Sequence, residues 1–281
     1  METLSSCVIC GSKNIINEIK VTDYAFTKEI FGISKCNSCL VLFTNPRPKT
    51  NKILKYYDLK KYDSYGKSTG LWGFIYNVSQ KINNSYKIGV LKKHNTGSLL
   101  DYGSGEGSFV EYSNKKGFLS IGYEPINKTQ KKEIKNTNEY LKNKYDWITM
   151  WHVLEHTNNP FNKIKKLSGL LKKGAHMAIA LPNNNSYDNS YYKKYWAGYD
   201  VPRHLFHFNK KSFLNFTKNL KLEIIEEKPL FLDSIYVSIL SEKYKKRPFY
   251  FILGFIIGFY SNISALITGN YSSIIYILRK C

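Results

Sequence analysis

The chain has 281 residues, 43% of them hydrophobic and 22% charged, with a formal net charge of +21. This is long enough for a full α/β core, in one large or two modest domains, and too apolar for a disordered chain. The charge points to phosphate-bearing partners or to a lysine-rich solvated surface, and the even spread of the lysines favours the surface. Met1–Gly11 is polar and lacks a signal-peptide pattern, so a cytoplasmic protein is expected.

Four of the five cysteines fall in two C-x2-C pairs, Cys7/Cys10 and Cys36/Cys39, separated by 25 residues. Each pair aims two thiolates at one point, and two such knuckles make a tetrahedral zinc site with no open position. The expectation is a structural zinc ribbon over residues 1–48; the alternative is four unconnected thiols or a redox pair. Cys281 stands alone. Pro46 and Pro48 mark the exit from this unit.

Residues 49–95 read as a helical lead-in or cap. Leu71, Phe74, Ile75, Val78, Ile82, Tyr86 and Val90 recur at helical spacing over Leu71–Leu91. Tyr62, Tyr65 and Trp72 are either aromatics that cover a ligand or ordinary packing residues.

The segment Leu99–Gly107, LLDYGSGEG, follows. A strand running into Gly103, Gly105 and Gly107 and then opening a helix makes a cradle for a nucleotide-like ligand. A dinucleotide fingerprint would need its third glycine at 108, where this chain has Ser108. Phe118–Glu124 reads as the next strand, ending in an acid 23 residues after Asp101. A carboxylate there can accept both hydroxyl hydrogens of a ribose. Asp146–His152 reads as a fourth strand. Leu170–Gly174 reads as the end of a helix, and Ala175–Leu181 as a fifth strand stopped by Pro182.

The stretches DYGSGEG, GYEP, YDWITMWHVLEH, LLKKGAHMAIALPN and KCNSCLVLFTNPRP together resemble class I S-adenosylmethionine-dependent methyltransferases with an N-terminal zinc ribbon. That group is found among sugar C-methyltransferases and proteins of surface-polysaccharide pathways. The resemblance implies an α/β fold, with a doubly wound, seven-stranded Rossmann-like sheet over residues 96–281 behind the ribbon. It implies S-adenosylmethionine as cofactor, held by Asp101, Gly103, Ser104, Gly105, Gly107, Glu124, Trp151 and His152. Only 21 residues separate Glu124 from Asp146, so the third helix and strand must be short; Asn138 and Glu139 are the contacts they offer to the adenine.

Methyl transfer needs an aligned nucleophile and, for many acceptors, a base. His204-Leu-Phe-His207-Phe resembles the H-L-x-Y-F stretch of sugar C-methyltransferases, which implies His204 as base, with His207 and His156 as further catalytic candidates. The tyrosine and glutamate that precede the histidine in those enzymes are Val201 and Arg203 here, and Arg203 suits a phosphate or carboxylate clamp. His152, Glu155 and His156 also resemble the E-x-x-E-H metal motif of quinone O-methyltransferases, with His152 in place of the first acid.

HVLEH stands where base-amino methyltransferases carry an acid or Asn before Pro-Pro, and no Pro-Cys nucleophile is present, so a nucleic-acid substrate is disfavoured. The expected acceptor is a small molecule, a sugar nucleotide or a lipid-linked glycan. The alternatives are a membrane-surface scaffold on a retained fold and an RNA-modifying enzyme.

Leu222–Glu226 and Ser273–Arg279 read as the last two strands. Between them lies a basic run, Ser241–Arg247, and then the nearly uncharged Phe249–Ile267, an insertion at about 248–268. As a helix this segment approaches bilayer thickness, yet the strand after it must return to the sheet. Three readings stand. A stripe of Gly254, Gly258, Ser261 and Ala265 packs on the domain or on the second subunit of a homodimer. The segment lies at the inner face of a membrane. Or it spans.

Overall fold

The computed structural model describes residues 1–57, 71–125 and 131–281, with only the backbone of 71–77. Tyr62, Tyr65 and the side chain of Trp72 lie outside the described residues.

The chain opens with three antiparallel strands, β1 (Ile15–Thr22), β2 (Ile30–Cys36) and β3 (Leu42–Thr44). Helix α1 (Leu71–Lys92) follows. It buries Ile88, Val90 and Leu91 as the periodicity predicts, and leaves Val78 and Ile82 exposed; the side chains of Leu71, Phe74 and Ile75 lie outside the described residues.

Then come β4 (Ser98–Tyr102), α2 (Ser108–Asn114), β5 (Leu119–Tyr123), β6 (Ile134–Lys135) and β7 (Tyr145–Trp151). Helix α3 (Pro160–Ser168) is capped by Asn159, whose side chain accepts from Asn162 N. It ends at Gly169, five residues before the predicted stop at Gly174. β8 (Leu171–Pro182) is already paired at Leu171, and Gly174 turns through φ +71° where the register against β7 jumps.

The rest comprises α4 (Tyr187–Tyr192), β9 (Phe206–His207), α5 (Lys210–Thr217), β10 (Leu222–Pro229), α6 (Phe231–Tyr244), α7 (Tyr250–Thr268) and β11 (Ser273–Lys280). The main sheet has seven strands in the order β10-β11-β8-β7-β4-β5-β6. β4, β5, β6, β7 and β8 are parallel, and β11 inserts antiparallel between β8 and β10. Parallel strands covered on both faces read as continuous apolar runs, as Leu99–Leu100 and Ala175–Leu181 do, apart from His176. Chain order reverses beside β4, with β5 on one side and β7 on the other. The crevice between the loops leaving β4 and β7 is where this topology places a ligand.

β9 joins the N-terminal sheet rather than the main one, pairing Leu42 with His207 and Phe43 with Phe206. Cys7, Cys36, Cys39, Val41 and Phe43 accordingly share a core with Leu205, Phe206 and Phe208.

In the α6–α7 hairpin, Gly254, Gly258, Ser261 and Ala265 are buried. A Cβ on Gly254 would sit 2.4 Å from Ile239 Cα, and one on Gly258 2.5 Å from Ile235 Cα, so the helices touch only because these residues are glycine. The small-residue stripe is therefore spent within the chain. Ser261 Oγ also donates to the fully buried Asp188 at 2.8 Å. The opposite face of α7 exposes Phe255, Ile256, Phe259, Leu266 and Ile267, and the helix is long and apolar enough to cross a membrane by length and composition.

Candidate active site and cysteine cluster

The turn after β4 has three left-handed glycines, Gly103 (φ +81°), Gly105 (φ +53°) and Gly107 (φ +79°). A Cβ on Gly103 would strike Val153 and one on Gly107 would strike Ile134, but nothing lies within 4 Å of a Cβ on Gly105. The open side of the bend is thus at Gly105. Its N–H donates to Glu124 Oε2 at 3.0 Å, so the loop after β4 and the acid after β5 face each other. Ser104 Oγ, in the same turn, is buried with no hydrogen-bond partner among the described residues. Asn138, expected further along, is exposed at the start of a short 3-10 turn.

Asp101 ends β4 and is buried, with Oδ1 accepting from Thr149 Oγ1 at 2.7 Å. Burial pushes its carboxyl up to about 7, against the Thr149 bond and Lys87, which both lower it. Because that value exceeds the unfolded one of about 3.9, the native state holds more protons in between. Stability therefore falls as pH rises from about 4 to about 7, and levels off above. Asp101→Asn keeps an acceptor for Thr149 and removes the charge. In urea denaturation it is expected to be about 1–3 kcal/mol more stable than the wild type at pH 8, with no advantage at pH 4. A wild-type stability independent of pH in this window would contradict the assignment.

Trp151 ends β7, its ring packed against Phe109 and its Nε1 buried without a partner among the described residues. Lys87 Nζ sits over this ring, 4.5 Å from its centre. His152 adopts φ +55°, a strained conformation for a residue with a Cβ. Its Nε2 is 2.9 Å from Asp233 Oδ2 and its Nδ1 is 3.4 Å from Glu155 Oε1. Burial opposes protonation, but these two carboxylates prevail and raise its pKa to about 9. His152 is thus held as a cation between two anions.

The loop after β7 and the Asp200–His207 loop converge. Glu155 is 1% exposed, and neither of its oxygens receives a hydrogen bond among the described residues. His204 Nε2 is 4.0 Å from Glu155 Oε1. The His156 and His204 rings meet edge to face at 4.6 Å. Burial, then His204, lowers the His156 pKa to about 4. His207 is turned away toward Thr44 Oγ1, at 3.2 Å, and burial lowers its pKa to about 3. Of the motif His152–Glu155–His156, the structure groups the last two with His204 and places His152 as a cation between Glu155 and Asp233.

Arg203 is not a free clamp. Its guanidinium bonds Asp200 Oδ1 and Oδ2, Asp23 Oδ1 at 3.1 Å and Tyr56 O at 3.1 Å, and the residue is 2% exposed. The N-terminal sheet is its anchor. Sequence reasoning missed Asp23, Lys87 and Asp233. No local pattern marks them, since Asp23 lies 180 residues from Arg203 and Asp233 lies 81 from His152.

The cysteines gather as their spacing requires. Cys7 Sγ is 3.6 Å from Cys39 Sγ, and Cys10 Sγ is 3.5 Å from Cys36 Sγ. A tetrahedral zinc with sulfurs at about 2.3 Å sets neighbouring sulfurs about 3.8 Å apart, so the cluster fits the ion closely. Both knuckles close alike, Gly11 N bonding Cys7 O and Leu40 N bonding Cys36 O, each at 2.8 Å. Both closing residues are left-handed, Gly11 at φ +74° and Leu40 at φ +67°.

A family model described as a methyltransferase domain matches residues 79–227. Among solved structures, the chain is similar to magnesium protoporphyrin IX methyltransferase from Synechocystis PCC 6803 with bound SAH. The identity is 13% and the TM-score 0.52, over 83% of this chain and 100% of that one. It is also similar to the [4+2]-cyclase SpnF, at 13% identity and TM-score 0.52, over 83% of this chain and 97% of that one. At such identities the likeness is one of fold, and a cyclase among these structures shows that this fold does not dictate one reaction. A search of curated proteins found no match.

Proposed function

The chain belongs to the methyltransferase-domain family, and from that premise we propose that it transfers a methyl group from S-adenosylmethionine to a small acceptor of a sugar-nucleotide or glycan pathway. The observation that carries this reading is the bond from Gly105 N to Glu124, with open space beside the Gly105 α-carbon. The unsatisfied Ser104 Oγ and Trp151 Nε1 at the same crevice fit a polar ligand that supplies their missing partners. Asp101 and the bend at Gly103–Gly107 would hold the amino-acid end of the cofactor, and Glu124 its ribose hydroxyls. When bound, the cofactor supplies an electrophilic methyl carbon on a sulfonium.

The chain's own task is to orient the acceptor and deal with its proton. Glu155, His156 and His204 are the groups for this, on loops that leave the same end of the sheet. The resemblance of His204–Phe208 to sugar C-methyltransferases supports the acceptor class. The zinc reading of Cys7, Cys10, Cys36 and Cys39 is supported by their sulfur spacing, and gives that ion a structural role. The test of the reaction is incubation of the protein with methyl-labelled cofactor and a cell's small-molecule extract. Label is expected in a sugar-nucleotide or lipid-linked glycan fraction, and its absence from every fraction would sink the reading.

The outer face of α7, beside Lys243, Lys246 and Arg247, supports a seat at an anionic membrane surface. The protein is expected to cosediment with phosphatidylglycerol vesicles and not with phosphatidylcholine vesicles. Replacing Phe255 and Phe259 together by Asp should weaken this at least tenfold, and unchanged sedimentation would count against the seat.

A further inference from the structure

We propose that Glu155, His156 and His204 form a site for one divalent transition-metal ion at the acceptor end of the crevice. One donor atom from each residue lies within 4.8 Å of the others. The tautomers follow from their neighbours. His156 Nδ1 is 3.0 Å from Arg203 O, and His204 Nδ1 is 2.9 Å from Gly198 O. A carbonyl oxygen only accepts, so each ring carries its proton on Nδ1 and, when neutral, presents a lone pair at Nε2. The Tyr57 oxygen shares the His156 proton, also at 3.0 Å. Metal-bound imidazoles are oriented in this way, by donation from the far nitrogen to a carbonyl or carboxylate.

The carboxylate completes the set. Glu155 is buried, and both its oxygens lack a hydrogen bond among the described residues. Two imidazole lone pairs and an anionic carboxylate thus converge, and the cationic His152, 3.4 Å from Glu155 Oε1, is shared with Asp233, so a further cation is accommodated favourably. The surrounding charge favours one. Asp23, Asp200, Asp233 and Glu155 outnumber the cations near them, Arg203, His152 and Lys87.

Two imidazoles and one carboxylate leave coordination positions open, as catalytic and not structural sites do. Glu155 and His204 also line a narrow recess with Trp196, Gly198 and Phe206. Any use of the ion in methyl transfer rests on the methyl-transfer reading; the ion site itself does not.

Manganese(II) is the probe, because it prefers oxygen and nitrogen donors and leaves the four thiolates to zinc. The full-length, zinc-loaded protein is titrated with Mn2+ and followed by electron paramagnetic resonance. About one ion per chain is expected to bind. Glu155→Gln and His204→Gln should each weaken binding at least tenfold, while His176→Gln, on the far side of Trp147, should not. Melting curves show whether each variant folds, and the wild-type stoichiometry decides even if one does not. No stoichiometric binding of Mn2+ or Co2+ by the wild type, or unchanged binding in both folded variants, overturns the site. Calorimetry with S-adenosylhomocysteine on the same samples separates the two readings. Cofactor binding without metal overturns only the ion site, and metal binding without cofactor overturns only the methyl-transfer reading.

Discussion

Glu124→Arg is expected to weaken binding of S-adenosylhomocysteine at least a hundredfold in calorimetry. The carboxylate stands directly after β5, and Gly105 N–H fixes one of its oxygens at 3.0 Å. A ribose presents two hydroxyl donors, and hydrogen bonds to a charged acceptor contribute about 1.5–3 kcal/mol each. Losing both costs about 3–6 kcal/mol, which is about two to four decades of affinity. The arginine also has only donors to offer those hydroxyls and fills the open side of the Gly105 bend. Glu124→Gln keeps an acceptor and should lose about tenfold. The fold should tolerate both, since one lost backbone bond is worth about 1 kcal/mol and a melting curve will show it. A folded Glu124→Arg protein that binds as tightly as the wild type would remove the basis of the cofactor assignment.

The second large effect comes from the cysteines. Replacing Cys36 and Cys39 together by Ser should abolish methyl transfer while leaving cofactor affinity within about threefold. Substitution is preferable to a chelator, which would also strip an ion held by Glu155, His156 and His204. A structural zinc contributes about 10–16 kcal/mol to the unit it folds. The N-terminal sheet holds the Asp200–His207 loop directly, through Thr44 N to Leu205 O at 3.0 Å, Thr44 Oγ1 to His204 O at 2.7 Å, and the Asp23–Arg203 ion pair. Leu205 N in turn bonds Glu155 O at 2.8 Å, so slack in the N-terminal sheet reaches both the Asp200–His207 loop and the loop after β7. One face of β4 and β7 rests on a different core, in which Leu99, Trp147, Ala178 and Ile275 pack with Ile88 and Leu91 of α1. Limited proteolysis should cut the variant within residues 1–48 first. Full activity in a variant that binds no zinc would show that the ribbon and the Asp200–His207 loop are uncoupled.

What could be read along the chain was whatever a short window determines. The C-x2-C knuckles, the D-x-G-x-G-x-G bend and the acid after the second strand depend on backbone turns and strand ends. Those are set by neighbours a few residues apart, and they appear where expected. The succession of strands along the chain was legible from the motif series because each motif marks the end of one strand. The stop of α3 was not. Gly174 has the chemistry of a helix end, but pairing of Leu171 with Tyr145 claims the chain three residues earlier. The stripe in α7 was visible as a pattern of small residues, but its partner was open. Only the contact with Ile235 and Ile239 of α6 assigns it to the chain's own interior.

The cluster around Glu155 was decided by tertiary structure. Arg203 reads locally as a clamp for an anion, yet Asp23 and Asp200 neutralise it. His152 reads as part of a ligand triad, yet Asp233 from α6 holds its other nitrogen and makes it a cation, and His204 joins Glu155 and His156 instead. The sequence by itself determined the fold class, the cysteine cluster and the bend that faces Glu124, because backbone dihedral preference and apolar periodicity act over short distances. Only the folded chain decided which charges neutralise each other and which donor atoms converge. Electrostatic pairing depends on separation in space, and residues up to 180 positions apart meet at that site.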